Sequence, residues 1–535
     1  MATLVEQILL SLKEHGAEEI FGIPGDYVIS IFKTIQDSKI LPLYTLSHEP
    51  GVGFAADGAA RFNRRISVAC VTYGAGALNM VNPIAGAYAE RVPVVVISGY
   101  PAYKSVNSKL RMHHELKTPS AQFEVFKNIT CDQARINDIS TAPANISRVL
   151  ESCLKNSRPV YIEISGDLYS AECQPIPKTY SSTKSYENSQ TPMLVEETIK
   201  LLKNSKNPLI LLGYELLRFQ IEKQAVDIAN KLGINSLTTL MSRNIKGFQC
   251  FKGALGNHAI SEVLLKSDTI LNLGAMYNDS NFSPKLDEFK GKNLISVCED
   301  TVEINNQIYN DIHIKDFLNQ LQKRAYCFNR SRNEIPAEPH TEQQHGSRTG
   351  LNSYDIINSV NKAFSRYEKL PLVSDIGDAM LSSMRVEPDE TFSPWFYGAM
   401  GYAVPAGIGL HLSSGKRPLI MVGDGDFQMT GWELCNCAKY GIDPIVIVFN
   451  NSTWGILNAI KTPASFNSIS RLNYSKIACE LGGTVYKAQT TLELDEAVNK
   501  AFQSRGKFQL IDVTLDSDTN CSGILSELSK LIKGR

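Results

Sequence analysis

The sequence has almost no net charge. Across 535 residues, 54 Lys and Arg face 55 Asp and Glu, for a formal charge of −1. No long basic run breaks that balance, so the electrostatic footprint of a nucleic-acid binder is missing. Nor does any apolar stretch approach the roughly 18 to 20 residues that a membrane span requires. The opening MATLVEQILLSLKEHGAEEIFGIPGD carries Glu6, Lys13 and Glu14, and its apolar spacing reads as an amphipathic helix instead of a signal peptide. Short tandem repeats are not evident. No clear G-x-G-x-x-G follows a strand with an acid about 20 residues on, which argues against a nucleotide-dependent dehydrogenase. Cysteine is present without pattern: the 11 residues are scattered and odd in number, as expected of reduced thiols in a cytoplasmic protein. Cys435 and Cys437, in CNC, lack a second Cys/His pair at zinc spacing and read as helix packing.

What remains is an ordinary globular composition, 43% hydrophobic and 20% charged, on a chain too long for one core. Two polar, proline-containing stretches, residues 174–192 and 329–350, read as linkers. They leave segments 1–173, 193–328 and 351–535, each of domain size. In each, short apolar β-branched runs such as VPVVVISG, PLILLG and PIVIVFNN alternate with helical stretches. That pattern predicts an α/β fold of three domains, each a parallel sheet flanked by helices. Ligands in such sheets bind beyond the carboxyl ends of the strands.

One such end is marked in the third segment, where PLIMVGDGDFQMTGWELCNCAKYGIDPIVIVFNN reads strand, helix, strand. Asp424 lies just past the first strand and Asn451 just past the second, so both end on one rim. A glycine loop there presents bare N–H groups to phosphate. A carboxylate and an amide oxygen are hard ligands suited to magnesium, which completes its octahedron with phosphate oxygens and water. The metal thus reconciles an acidic loop with an anionic ligand.

With its GDG start and NN end, this stretch resembles the diphosphate-binding motif of thiamine diphosphate enzymes. The resemblance implies that Asp424, Asn451 and the main-chain carbonyl of Thr453 hold magnesium. The backbone of Gly425 and Asp426 should face the diphosphate, with the Asp426 carboxylate pointing away. YTLSHEPGVGFAADGAAR resembles the same family's cofactor-activating motif. Glu49 is then the group that hydrogen-bonds the aminopyrimidine ring and favours its imino tautomer, from which the nucleophilic ylid arises. In WFYGAMGYAVPAGIG, the family pattern has the Gly398 carbonyl accept from the ring's amino group and Met400 lie under the bent cofactor. The family architecture is a pyrimidine-binding, a central and a diphosphate-binding domain. One chain supplies the glutamate and another the diphosphate loop, which implies a homodimer at least and a homotetramer as the expected assembly.

RMHHELK supplies His113 and His114, and FGIPGDY supplies Asp26. HHEL does not match HExxH. A similar His-His and PGD occur in decarboxylases of the pyruvate and indolepyruvate type, whereas acetolactate synthases lack the His pair. An Asp and two His can relay protons near neutral pH, favouring aldehyde release over carboligation. NNSTWGIL departs from the pyruvate decarboxylase pattern: Leu457 stands where those enzymes carry a catalytic glutamate. Carboxylate-dependent steps then fall to Asp26, His113 and His114, or to another residue. Asp279 in GAMYNDSNF is a candidate, although that position equally suits a turn. Met380, Met400, Ile456 and Leu457 are expected to form an apolar wall favouring a large hydrophobic substrate side chain. The expected activity is non-oxidative decarboxylation of a 2-keto acid, such as phenylpyruvate or indolepyruvate, to the aldehyde and carbon dioxide. The rivals are a thiamine diphosphate-dependent carboligase of the acetolactate synthase kind and a pyruvate decarboxylase proper.

Overall fold

The computed structural model describes residues 2–106, 108, 110–178, 188–252, 258–278, 291–326, 328, 350–461, 463–515 and 523–533. The chain forms two compact units, one from residues 1–180 with 345–535 and one from residues 181–344. Among the described residues, no helix is long and apolar enough to cross a membrane.

The larger unit contains two parallel sheets. The first joins β1 (Ile20–Gly22), β2 (Leu43–Thr45), β3 (Ser67–Val71), β4 (Val94–Tyr100), β5 (Asp132–Ile136) and β6 (Val160–Ser165) in the order β2-β1-β3-β4-β6-β5. Every residue of β3, β4 and β6 is buried, as continuous apolar runs require when helices cover both faces. The smaller unit's sheet joins β7 (Pro208–Leu212), β8 (Asn235–Thr239), β9 (Gln249–Phe251), β10 (Thr269–Leu273), β11 (Asn293–Cys298), β12 (Thr301–Ile304) and β13 (Gln307–Asn310). The larger unit's second sheet joins β14 (Leu372–Ser374), β15 (Thr391–Phe392), β16 (Leu419–Gly423), β17 (Ile445–Asn450), β18 (Thr484–Ala488) and β19 (Gln509–Thr514) in the order β15-β14-β16-β17-β19-β18.

The middle segment departs from the all-parallel expectation at one edge. There β11, β12 and β13 pair antiparallel. The chain reverses at Glu299–Asp300 and again at Asn305–Asn306, and all four residues have positive φ. Two-residue turns of that conformation match the twist of paired strands and close hairpins.

The first and third segments share one apolar core, which includes Val52, Ala55 and Ala59 with Val404, Ala406 and Ile408. The helix Glu49–Asn63 crosses the helix Ala403–Ser414 so closely that a Cβ at Gly409 would stand 2.1 Å from the Ala55 carbonyl oxygen. Small residues on both helices permit that approach.

Candidate active site

The loops after β14, β16 and β17 enclose a cavity of about 230 Å³, lined by Ile376–Asp378, Met400, Gly423–Asp426, Phe449, Asn451 and Thr453–Leu457. Asp424 opens the helix Asp424–Thr430 directly after β16. Its Oδ1 accepts the Gly425 N–H at 3.0 Å and its Oδ2 the Ser452 N–H at 2.6 Å. Asn451 turns back on its own loop, its Oδ1 accepting the Thr453 N–H at 3.1 Å. Asp424 is only 2% exposed, and burial pushes its carboxyl up to about 7 against the pull of the backbone N–H groups.

Two more buried acids stand here. Asp375 accepts the N–H groups of Gly401 at 3.1 Å and Ala403 at 2.8 Å, and burial raises its carboxyl to about 6. Asp426 is held well above the carboxylate range by burial, then by the charges of Asp375 and Asp424. Its Oδ1 is buried without a hydrogen-bond partner, and a Cβ at Gly423 would touch its Oδ2 at 2.7 Å. Asp375, Asp378 and Trp454 escaped the sequence reading. The signal for the first two was SDIGD, the same strand-then-acid-and-glycine pattern as VGDGD. Met380, on the helix Asp378–Ser383, and Gly398, at φ +69°, stand outside the cavity lining. Asp279 lies outside the described residues.

A second group of candidates gathers on the first sheet. His113 Nε2 bonds Asp26 Oδ2, and the Tyr27 hydroxyl lies 3.2 Å from His113 Nδ1 while the two rings stack at 4.7 Å. His114 Nδ1 is 3.1 Å from the Tyr73 carbonyl, which can only accept, so Nδ1 carries a proton. Desolvation works against the Asp26 carboxylate, but the His113 bond and the Tyr27 N–H outweigh it and hold Asp26 below its ordinary value. The ligand atoms of Asp26, His113 and His114 lie within 4.8 Å of one another. Tyr27 was not foreseen, though it follows Asp26 directly in PGDY.

Glu49 begins the helix Glu49–Asn63 after β2, and its Oε2 accepts from Asn79 Nδ2 at 3.1 Å. Asp26, Glu49 and the His pair follow β1, β2 and β4, so they share the carboxyl end of one parallel sheet. None of them lines the cavity around Asp424.

The chain matches, in order, the thiamine pyrophosphate enzyme N-terminal TPP binding domain over residues 2–125, the central domain over 195–321 and the C-terminal TPP binding domain over 375–513. The fold and its two rims are thus those of the thiamine pyrophosphate enzymes. An indole-3-pyruvate decarboxylase of Azospirillum brasilense is 37% identical, across 99% of this chain and 98% of that protein. A probable pyruvate decarboxylase of Schizosaccharomyces pombe is 27% identical across 97% and 94%. Pyruvate decarboxylase isozyme 3 of Saccharomyces cerevisiae is 26% identical across 96% and 95%. The chain belongs to this family and is a thiamine diphosphate-dependent 2-keto acid decarboxylase.

Proposed function

We propose that this decarboxylase takes 2-keto acids with large apolar side chains, phenylpyruvate or indolepyruvate, and that magnesium is its metal. The observation that carries the reading is the apolar side of the cavity: Met400, Ile456 and Leu457 line it beside the acidic loop. Leu457 replaces the glutamate of the pyruvate decarboxylase pattern and is 46% exposed. An apolar wall adds affinity in proportion to the substrate surface it covers.

The residues present fit the cofactor and its metal. A buried carboxyl pushed up to about 7 marks negative charge without a counter-charge, which a divalent cation offsets. Asp424, Asn451 and the Thr453 carbonyl would hold magnesium as hard oxygen ligands. A Cβ at Gly425 would strike the Trp454 ring at 2.1 Å, so glycine keeps that turn open. Thiamine diphosphate, when bound, supplies the electron sink for loss of carbon dioxide. Glu49, its Oε2 already fixed by Asn79, would hydrogen-bond the aminopyrimidine ring, and Gly398 would offer it a carbonyl. His114 and the His113–Asp26 pair would hold and donate the proton that aldehyde release requires.

The assembly is read as a homodimer at least, with a homotetramer expected. Two observations support that: the acidic cavity is lined by the third segment alone, and Phe396, Tyr397, Met429, Trp432 and Ile460 are exposed, the kind of surface that marks interfaces. We propose a cytoplasmic location from the scattered, odd-numbered cysteines of the sequence; cell fractionation checks this.

A coupled alcohol dehydrogenase assay, run with thiamine diphosphate and magnesium over a panel of 2-keto acids, tests the reading. The aromatic substrates are expected to give the highest kcat/KM. Preference for pyruvate by a wide margin, or an acyloin as main product, overturns it.

A further inference from the structure

The helix that begins at Glu49 is poorly started by its own sequence. The side chain of its N-cap residue, His48, makes no capping bond, and Pro50 has no N–H to offer. The backbone leading into the helix is held instead by an acceptor from the third segment. Glu433, on the short helix Gly431–Leu434 that follows the Asp424 helix, accepts the Ser47 and His48 N–H groups, each at 3.0 Å. Asn436 Nδ2 steadies the carboxylate at 2.9 Å. Glu433 is 2% exposed, and a Cβ at Gly51 would stand 2.5 Å from its Oε1, so glycine leaves the carboxylate in place.

A reciprocal contact holds the other half. Glu90, fully buried on the first segment, accepts the Phe396 N–H at 2.8 Å and the Tyr397 N–H at 2.9 Å. Its second oxygen pairs with Arg61, which also holds Asp57, and Asp57 accepts from the Tyr402 hydroxyl at 2.9 Å. Phe396 and Tyr397 run directly into Gly398. Each stretch of backbone leading to an aminopyrimidine contact is therefore gripped by a carboxylate from the opposite segment. N–H bonds to a carboxylate are among the stronger ones a protein makes.

We infer that Glu433 and Glu90 are positioning residues for Glu49 and Gly398, fixing the two groups that this chain presents to aminopyrimidine rings. The inference rests on the roles proposed above for Glu49 and Gly398. A group that moves a proton must stay within hydrogen-bond reach of its target, and a misplacement of about 1 Å costs roughly 100-fold.

The test is the rate at which the thiazolium C2 proton of bound thiamine diphosphate exchanges for deuterium, read by acid quench and NMR on holoenzyme saturated with cofactor and magnesium. It needs no substrate. Glu433→Ala and Glu90→Ala are expected to slow exchange roughly 10- to 100-fold, to lower kcat in parallel and to leave KM for the 2-keto acid unchanged. Glu433→Gln should recover part of the rate, since its amide oxygen still accepts an N–H. Folded Ala variants exchanging at the unmodified rate overturn the inference. If an Ala variant does not fold, the near-isosteric Gln variant decides: slowed exchange with unchanged KM supports the inference, and unmodified exchange overturns it. Glu49→Gln, run alongside, separates the two readings. Unmodified exchange there refutes the role of Glu49 itself, whereas lost exchange there with normal exchange in the Ala variants refutes only the positioning.

Discussion

The backbone N–H of Ser452 donates to Asp424 Oδ2 over 2.6 Å, tying the turn after β17 to the carboxylate that opens the helix after β16. Asp424→Asn removes the buried charge but leaves one oxygen for the Ser452 and Gly425 N–H groups. The cofactor-free protein is expected to change little in Tm, the lost charge and the lost acceptor each being on the order of 1 kcal/mol. Magnesium-dependent binding of thiamine diphosphate should weaken by about 100-fold. Titration of Trp454 fluorescence measures the second effect, and unchanged affinity would remove Asp424 from the metal site.

Glu49→Gln should leave the fold intact while lowering kcat at saturating cofactor by roughly 10²- to 10⁴-fold, the range of a lost acid–base group. Steady-state kinetics at saturating cofactor checks this, and retained turnover would remove Glu49 from the chemistry.

Leu457→Ala tests the apolar wall. The kcat/KM for phenylpyruvate should fall about 10-fold, within the roughly 1–3 kcal/mol of a few lost methylene contacts, with a smaller loss for pyruvate. Equal losses on both substrates would mean that Leu457 does not sense the side chain.

Gly409→Val should destabilise the larger unit. Its side chain would meet the Ala55 carbonyl, and overpacking costs about 1–3 kcal/mol. Calorimetry is expected to show a lower Tm for that unit with the smaller unit unaffected.

His411 makes acid stability testable. Burial lowers its pKa to about 4, with Asp443 raising it and Arg417 and Arg505 lowering it further. The folded value lies below the ordinary 6.5, so the unfolded chain takes up the proton first. The stabilising contribution is whole above pH 6.5 and declines as pH falls toward 4, by at most about 3 kcal/mol. His411→Leu should flatten the decline in Tm over that window; a decline as steep as the unmodified protein's would assign it to other groups.

The acidic loop was legible because its chemistry is local. Gly423 closes an apolar strand with Asp424 to Asp426 directly after it, and Asn451 follows the next strand of the same unit, so a strand–helix–strand reading suffices to put them on one rim. Glu49 was legible by the same logic, as an acid between a strand and a small-residue helix. The hairpins β11–β13 were not, because strand direction depends on turn residues adopting positive φ, and Asn-Asn or Glu-Asp alone does not compel that conformation.

The sequence by itself determined which residues carry chemistry: glycine, carboxylate and amide at strand ends, and a His pair beside an acid. Tertiary structure alone decided what holds them. Glu433 meets Ser47 across 386 positions of chain and Glu90 meets Phe396 across 306. Such contacts exist only because the helices Glu49–Asn63 and Ala403–Ser414 bury their small faces against each other. No pattern along the chain encodes that meeting, since burial rewards any apolar face and only the folded packing selects the partner.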